Sequence, residues 1–313
     1  MQNTTLAIIV PCLNEQEALP LAHERLCVLL DGLVLKKLVS GTSFILYVDD
    51  GSTDDTWQLI GQRVGPRVRG LKLVGNVGQQ NALMAGMETV VADADAIVTI
   101  DADLQDDEVA VIEMLRRYDD GCDVVYGVRR NRKSDSFFKR TTAQCFYRFM
   151  MSMGVKTHYN HADFRLLSRR VVHTLCQYGE RSLFLRGLIT QMGYRSEVVY
   201  YDRRERVAGK SNYSVGKMLS LALDAVTSFS VKPLRLIFYL GAAFLLISLV
   251  ILVYVIVSLC RGNGVQGWAS LMLSIWFVGG CLLMCMSVIA AYVGRIYTEG
   301  KHRPRYHIDQ YLK

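Results

Sequence analysis

AIVTIDADLQDDEVAVIEMLRRY, residues 96–118, decides how this chain folds. AIVTI (96–100) is a short apolar run rich in β-branched residues and reads as a strand. From about Asp107 to Tyr118 the apolar side chains return at helical spacing, so a helix follows. Between the two sit Asp101 and Asp103, delivered together at the carboxyl end of the strand. Two carboxylates so placed can share a hard divalent cation with a diphosphate. The bland alternative is a solvated acidic turn or a helix N-terminus, since Asp106, Asp107 and Glu108 come next.

The same unit repeats on either side. LAIIV (6–10) precedes a helix over Glu17–Asp31, and FILYV (44–48) one over Asp54–Arg63. LKLV (71–74) precedes a helix from about Gln79 to Val91, and DVVYG (123–127) closes the series. Apolar strands alternating with helices predict a parallel sheet covered on both faces, a Rossmann-like α/β architecture. Ligands bind at the carboxyl ends of such strands. There the chain reads PCLNE, DDGSTDD, GNVGQQN and DADLQD in turn, so polar residues gather where a ligand is expected. In the second loop Ser52, Thr53 or Asp54 can cap the next helix. Capping leaves Asp50 unexplained, and a carboxylate there can accept a hydrogen bond from a nucleobase N–H. In the first loop Glu15 can serve as a helix N-terminal acid or bind a ribose hydroxyl.

Beyond residue 230 the composition shifts. No charged residue occurs from Leu236 to Cys260, nor from Gly262 to Gly294. Each run, as a helix, exceeds the ~30 Å of a bilayer core. Two transmembrane helices are expected. Lys217, Lys232 and Arg235 precede the first; Arg295, Lys301, Arg303 and Arg305 follow the second; the connector holds only Arg261. The positive-inside bias then puts both termini in the cytoplasm. The start, MQNTTLAIIVPCLNE, lacks the basic n-region of a signal peptide. The expected organisation is a cytoplasmic domain over 1–213, an interfacial amphipathic helix over 214–233, two spans over 234–294 and a juxtamembrane tail over 295–313 that hugs the surface. Eight cysteines without zinc-site spacing read as reduced thiols. The net charge of +7 suits a membrane surface and anionic substrates. No nucleic-acid-binding signature accompanies it, so no nucleic acid is expected as a partner.

PCLNE, DDGSTDDT, NVGQQNALMAG, DADLQD, DFRLLSR and AGKSNYS occur in this order, followed by two apolar runs and YVGRIYTEGKHRPRY. Over essentially its whole length the chain resembles the family-2 glycosyltransferases with a GT-A fold. Within them it is similar to the bacterial polyprenyl-phosphate (bactoprenol) glycosyltransferases and, more distantly, to the dolichol-phosphate mannose synthases. The resemblance implies that Pro11, Leu13, Glu15, Asp50, Asp101 and Ala102 line the nucleotide pocket. It implies that Asp101, Asp103 and Gln105 hold Mg2+ or Mn2+ with the diphosphate. Asp103 and Asp163 then stand at the reacting centre, and Arg206 and Lys210 in the loop that closes over the phosphates. It also implies a bacterial inner-membrane location and a homo-oligomer. The Q-x-x-R-W motif of sugar-polymerising relatives is missing, which argues against a processive synthase.

The implied reaction is inverting transfer of a hexose, with UDP-glucose favoured as donor, to undecaprenyl phosphate. Galactose, N-acetylhexosamine and aminoarabinose donors stay open, as does a different lipid acceptor such as diacylglycerol. A membrane-anchored nucleotide-sugar binding protein without turnover is the non-enzymatic reading. A lipid phosphate, with a second pKa of about 6, is already a nucleophile and needs cations rather than a strong base. RRNRKSDSFFKR (129–140) offers them, with Arg129 and Arg132 the candidates for the acceptor phosphate. The same stretch can instead touch anionic headgroups.

Overall fold

The computed structural model describes residues 4–103, 105–130, 161–180, 185–202, 232–261 and 267–313. The chain divides into two compact units. The first holds residues 1–147, 156–213 and 303–313, and the second 148–155 and 214–302.

In the first unit β1 (Leu6–Cys12), β2 (Phe44–Asp49), β3 (Val68–Leu73) and β4 (Ala96–Thr99) are parallel neighbours in the order β4-β1-β2-β3. Apolar residues on both faces of these strands are sealed by helices, as a parallel sheet requires. Ile8 and Val10 join one large core, which also takes Leu19, Leu26, Leu30 and Leu33 from α1 (Leu19–Leu35). Helix α1 starts two residues later than the expected Glu17, with Pro20 in its first turn, where its missing N–H costs nothing. Helices α2 (Thr56–Gly61), α3 (Gln79–Val90) and α4 (Ala110–Asp119) follow their strands. Gly86 lets α3 close onto the sheet: a Cβ there would stand 2.8 Å from Ile9 Cγ2 and 3.0 Å from Val48 Cγ2.

The sheet is mixed rather than wholly parallel. Its full order is β7-β5-β6-β4-β1-β2-β3-β8, with β5 (Val124–Arg129), β6 (His161–Ser168), β7 (Ser196–Tyr201) and β8 (Ile308–Leu312). Strand β6 is antiparallel to both neighbours and slots between β4 and β5, pairing Thr99 with Arg165 and Tyr126 with Arg165 on its two sides. Helices α5 (Arg169–Cys176) and α6 (Leu185–Gln191) connect it to β7. Ser168 caps α5 by accepting from the Val171 N–H.

Strand β8 corrects the expectation for the tail. Instead of running along a surface to its end, the chain adds Ile308–Leu312 antiparallel to β3 at the sheet edge. Lys72 pairs with Asp309 at 3.3 Å and Lys313 with Asp93 at 3.3 Å, while Arg305 and Tyr306 both bind Glu88 on α3. The strand covers what would otherwise be an open edge.

The second unit contains α7 (Lys232–Cys260) and α8 (Trp268–Gly300). Among the described residues one stretch, Phe277–Gly300, is long and apolar enough to cross a membrane. The expected interfacial helix over 214–233 lies outside the described residues except for Lys232 and Pro233, which begin α7.

Candidate active site

Strand order reverses at β1, because β2 and β3 lie on one side of it and β4 on the other. The crevice outside the carboxyl ends at such a switch point is where open α/β sheets bind ligands. A cleft of about 380 Å3 lies there. Pro11, Cys12, Leu13 and Glu15 line it from the β1 loop, Asp50 from the β2 loop, Gly78 and Gln79 from the start of α3, and Asp101, Ala102 and Asp103 from the β4 loop. Every residue expected at the nucleotide is in this wall. Cys12, Gly78 and Gln79 are additions that no sequence signal singled out.

The loops brace one another. Asn14, at a positive φ of 56°, takes the Ser52 Oγ on its N–H at 3.0 Å and offers its Oδ1 to the Thr53 N–H at 2.8 Å. The Gln16 N–H donates to Asp54 Oδ2 at 3.3 Å. Ser52 and Thr53 therefore cross-link two loops and do not cap α2; only Asp54, accepting from the Thr56 N–H at 3.0 Å, serves the start of that helix. Asp50 has a structural duty as well as a place in the wall. Its two oxygens accept the Val77 and Gly78 N–H groups at 2.8 and 2.9 Å, which pins the loop that opens α3. Gly51, at φ 73°, carries the chain past that loop so closely that a Cβ would stand 2.6 Å from the Gly75 carbonyl carbon and 2.7 Å from the Asn76 nitrogen. Backbone cannot swing aside as a side-chain tip can. Gly51→Ala is expected to cost at least about 2 kcal/mol and to open the cleft wall, read as a lower Tm together with weakened nucleotide binding.

Asp101 and Asp103 are half-buried at the cleft. Burial first, and then the carboxylates of Asp163, Asp106 and Asp103, push the Asp101 carboxyl up to about 8. Its Oδ1 accepts Gln79 Nε2 at 2.7 Å. Gln105, expected as a third metal ligand, is only 8% exposed and is not among the cleft-lining residues; its backbone N–H donates to Asp103 Oδ1 at 3.2 Å. Asp106 is a buried residue and not part of a solvated turn. Its Oδ1 accepts from Arg129 Nη2 at 3.0 Å and from the Tyr201 hydroxyl. Arg129, expected at an acceptor phosphate, is thus held in an ion pair with a buried carboxylate. Arg132, Arg206 and Lys210 lie outside the described residues.

Asp163 on β6 is 4% exposed and fully engaged. Oδ1 accepts from Arg165 Nη2 and from Arg186 Nε at 3.1 Å; Oδ2 accepts from Arg186 Nη2 at 3.0 Å and from Gln80 Nε2 at 3.2 Å. Burial would raise its carboxyl, but the Arg186 and Arg165 guanidiniums override burial and hold it well below the usual carboxylate range. A carboxylate so held does not take a proton near neutral pH. Arg165, Arg186 and Gln80 are partners of Asp163 that the sequence alone did not single out.

Asp101 and Asp103 fit a divalent cation in part. Both are hard oxygen donors, and the Asp101 carboxyl, raised first by burial and then by the neighbouring carboxylates, would be favoured in its charged form by a bound cation. Among the described residues no three His, Cys, Asp or Glu side chains form a ready-made metal site. That suits a cation that keeps waters and completes its shell with substrate phosphate.

Residues 7–176 match the glycosyl transferase family 2 domain. The uncharacterized glycosyltransferase YkoT of Bacillus subtilis is 47% identical over 97% of this chain and 91% of its own length. The bactoprenol glucosyl transferase of Shigella phage SfV is 37% identical over 96% and 97%. A prophage bactoprenol glucosyl transferase homolog of Escherichia coli K12 is 35% identical over 98% and 99%. Among solved structures, a glucosyl-3-phosphoglycerate synthase from Mycobacterium tuberculosis is 18% identical, with a TM-score of 0.46 over 72% of this chain and 76% of that one. With the cleft at the switch point and relatives that align from end to end, the chain belongs to glycosyl transferase family 2 and is a glycosyltransferase.

Proposed function

We propose that this enzyme transfers glucose from UDP-glucose to undecaprenyl phosphate at the cytoplasmic face of a bacterial inner membrane, inverting the anomeric carbon. The observation that carries the acceptor is Asp163. Its engagement by two arginines leaves it unfit as a base, and a lipid phosphate is an acceptor that needs none. The names of the phage and prophage relatives point the same way.

In this reading Pro11, Leu13, Glu15 and Asp50 form the wall for the nucleoside, with Asp50 also holding the α3 loop in place. Asp101 and Asp103 hold Mg2+ or Mn2+, which when bound offsets the charge of the leaving diphosphate. Arg206 and Lys210 come to the phosphates from the loop before the membrane, and Arg132 serves the acceptor or the headgroups around it. Attack by a phosphate oxygen from the face opposite the leaving group converts an α-linked donor to a β-linked lipid phosphate. Both α7 and α8 cross the bilayer, which anchors the chain in the membrane that holds the lipid acceptor. The charge-free run of α7 from Leu236 to Cys260 supports this for the first span, and Phe277–Gly300 for the second.

Mass spectrometry of lipids after incubation with a panel of nucleotide-sugars and undecaprenyl phosphate tests the reading. A hexosyl-phosphate lipid made from UDP-glucose is expected. A phosphate-free glycolipid, or no product with any donor, refutes it.

The metal assignment has a pH signature. An unfolded aspartate titrates at about 4, whereas Asp101 in the metal-free protein titrates at about 8. Between those values the native state binds the extra proton, so this group lowers stability as pH rises across the window. A cation on Asp101 removes that penalty. The rise in Tm caused by saturating Mn2+ should therefore grow from about pH 5 to about pH 8 and then level off. An equal rise at every pH would count against Asp101 as a ligand.

A further inference from the structure

Strands β4 and β6 run antiparallel and pair Thr99 with Arg165. Two residues past that pair stand Asp101, beyond the end of β4, and Asp163, on β6. The Thr99 hydroxyl donates to the Asp163 carbonyl oxygen, which ties the two chain segments together at this point. Two acids therefore come close where β4 opens into the cleft. Burial first, and then the Asp163 carboxylate, raises the Asp101 carboxyl. Like charges at such neighbouring positions repel, and each acid turns away from the other unless something holds it.

The first turn of α3 addresses both acids. Successive residues of a helix point about 100° apart, so two adjacent side chains can reach two different strands. Gln80 Nε2 donates to Asp163 Oδ2 at 3.2 Å, while its Oε1 accepts the Leu185 N–H at 3.2 Å. Gln79 lines the cleft, and its Nε2 donates to Asp101 Oδ1 at 2.7 Å. A carboxamide suits this place, because it gives a carboxylate a hydrogen bond without bringing a charge of its own. The backbone that carries Gln79 is braced. Asp50 accepts the Val77 and Gly78 N–H groups, and Gly78 is the N-cap of α3. Asn81 Nδ2 donates to the Val77 carbonyl oxygen at 2.9 Å across the same turn. Gln79 thus reaches Asp101 from a fixed turn and not from a free loop. Groups that ligate a metal are commonly oriented by such an outer hydrogen bond.

We propose that Gln79 is a positioning residue for the cation site: it holds one oxygen of Asp101 and leaves the other to the metal. This rests on the reading of Asp101 as a metal ligand. It gives the two glutamines that open α3 separate tasks, Gln79 at the metal acid and Gln80 at Asp163.

The test uses the full-length enzyme in detergent, as wild type, Gln79→Met, Gln80→Met and Asp101→Asn. Methionine keeps the length of glutamine and its fitness for a helix but donates no hydrogen bond. Calorimetry reads the affinity for Mn2+ at saturating UDP and, separately, the affinity for UDP without metal. Gln79→Met should weaken Mn2+ binding by about tenfold, the lower end of what losing an outer bond to a metal ligand costs. Asp101→Asn should weaken it further. Gln80→Met should keep Mn2+ affinity within about twofold of wild type, and Gln79→Met should keep metal-free UDP affinity within the same margin. The Gln79 side chain is exposed, so the fold should tolerate its replacement. Unchanged Mn2+ affinity in Gln79→Met, beside a loss in Asp101→Asn, overturns the proposal alone. An equal loss in Gln79→Met and Gln80→Met assigns the effect to α3 as a whole and also overturns it. So does a loss of about tenfold in metal-free UDP affinity in Gln79→Met, which places Gln79 on the nucleotide. Mn2+ binding unchanged in Asp101→Asn overturns both this proposal and the metal assignment on which it rests.

Discussion

Asp103→Ala should reduce sugar transfer by roughly three orders of magnitude, since a catalytic cation supplies several kcal/mol of charge stabilisation and each 1.4 kcal/mol is tenfold in rate. The chemistry asks two anions to meet, and the leaving diphosphate must be neutralised as its bond breaks. Asp103 and Asp101 are the oxygen donors that the β4 turn presents to the cleft. Removal of Asp103 also frees the Gln105 N–H that its Oδ1 accepts. That loss is local, at a half-exposed turn, and the fold should survive it. The experiment is transfer to undecaprenyl phosphate at saturating Mg2+ or Mn2+, with Tm and metal-free UDP binding as controls. Activity near wild type in a folded variant would sink the metal assignment. A lowered affinity for Mn2+ with a normal Tm is the pattern expected.

Asp163→Asn should destabilise the catalytic unit by about 3–5 kcal/mol, the cost of breaking a buried ion pair and leaving one partner uncompensated. The partner left behind is Arg165, which is buried at 1% exposure. The sign of the pH dependence follows from the depressed carboxyl. Its native value lies below the unfolded one, so its stabilisation is present in full above the ordinary carboxylate range. It is lost as pH falls below that range. The Tm gap between wild type and Asp163→Asn should therefore be widest near neutral pH and should narrow on acidification below about pH 4. A general base would behave otherwise: its amide variant would lose kcat with Tm unchanged. Thermal unfolding of both proteins across pH, beside kcat, separates the two roles.

The positions of the cleft-lining loops were legible because the physics is local. A strand needs an apolar run, a turn needs polar or small residues, and an α/β sheet exposes its turns at one end. Hence Glu15, Asp50 and Asp101 could be picked out from their loops, the family resemblance added Pro11, Leu13 and Ala102, and all six line the cleft. Gln105, two places beyond Asp103, is buried and is not among the residues lining the cleft, a placement that its position in the sequence does not reveal. Arg129 stands out in the sequence only as part of a basic stretch, and its pairing with Asp106, 23 positions away, is set by the fold.

The two antiparallel strands had little local signal. In HADFRLLS polar His161, Asp163 and Arg165 alternate with apolar residues, yet Asp163 and Arg165 are buried, where they pair with each other and Asp163 pairs also with Arg186. IDQYL at 308–312 is short and largely exposed, and becomes a strand only because β3 offers it an open edge.

By itself the sequence determined the α/β series, the polar loops at the strand ends, the acid pair at the end of β4 and the apolar runs, since each follows from residues close together along the chain. Only the tertiary structure decided which charges cancel. Gln80 reaches Asp163 across 83 positions and Leu185 across 105. Whether an aspartate is a base, a metal ligand or a clamp on an arginine depends on which cation the fold sets beside it, and no local pattern of residues carries that information.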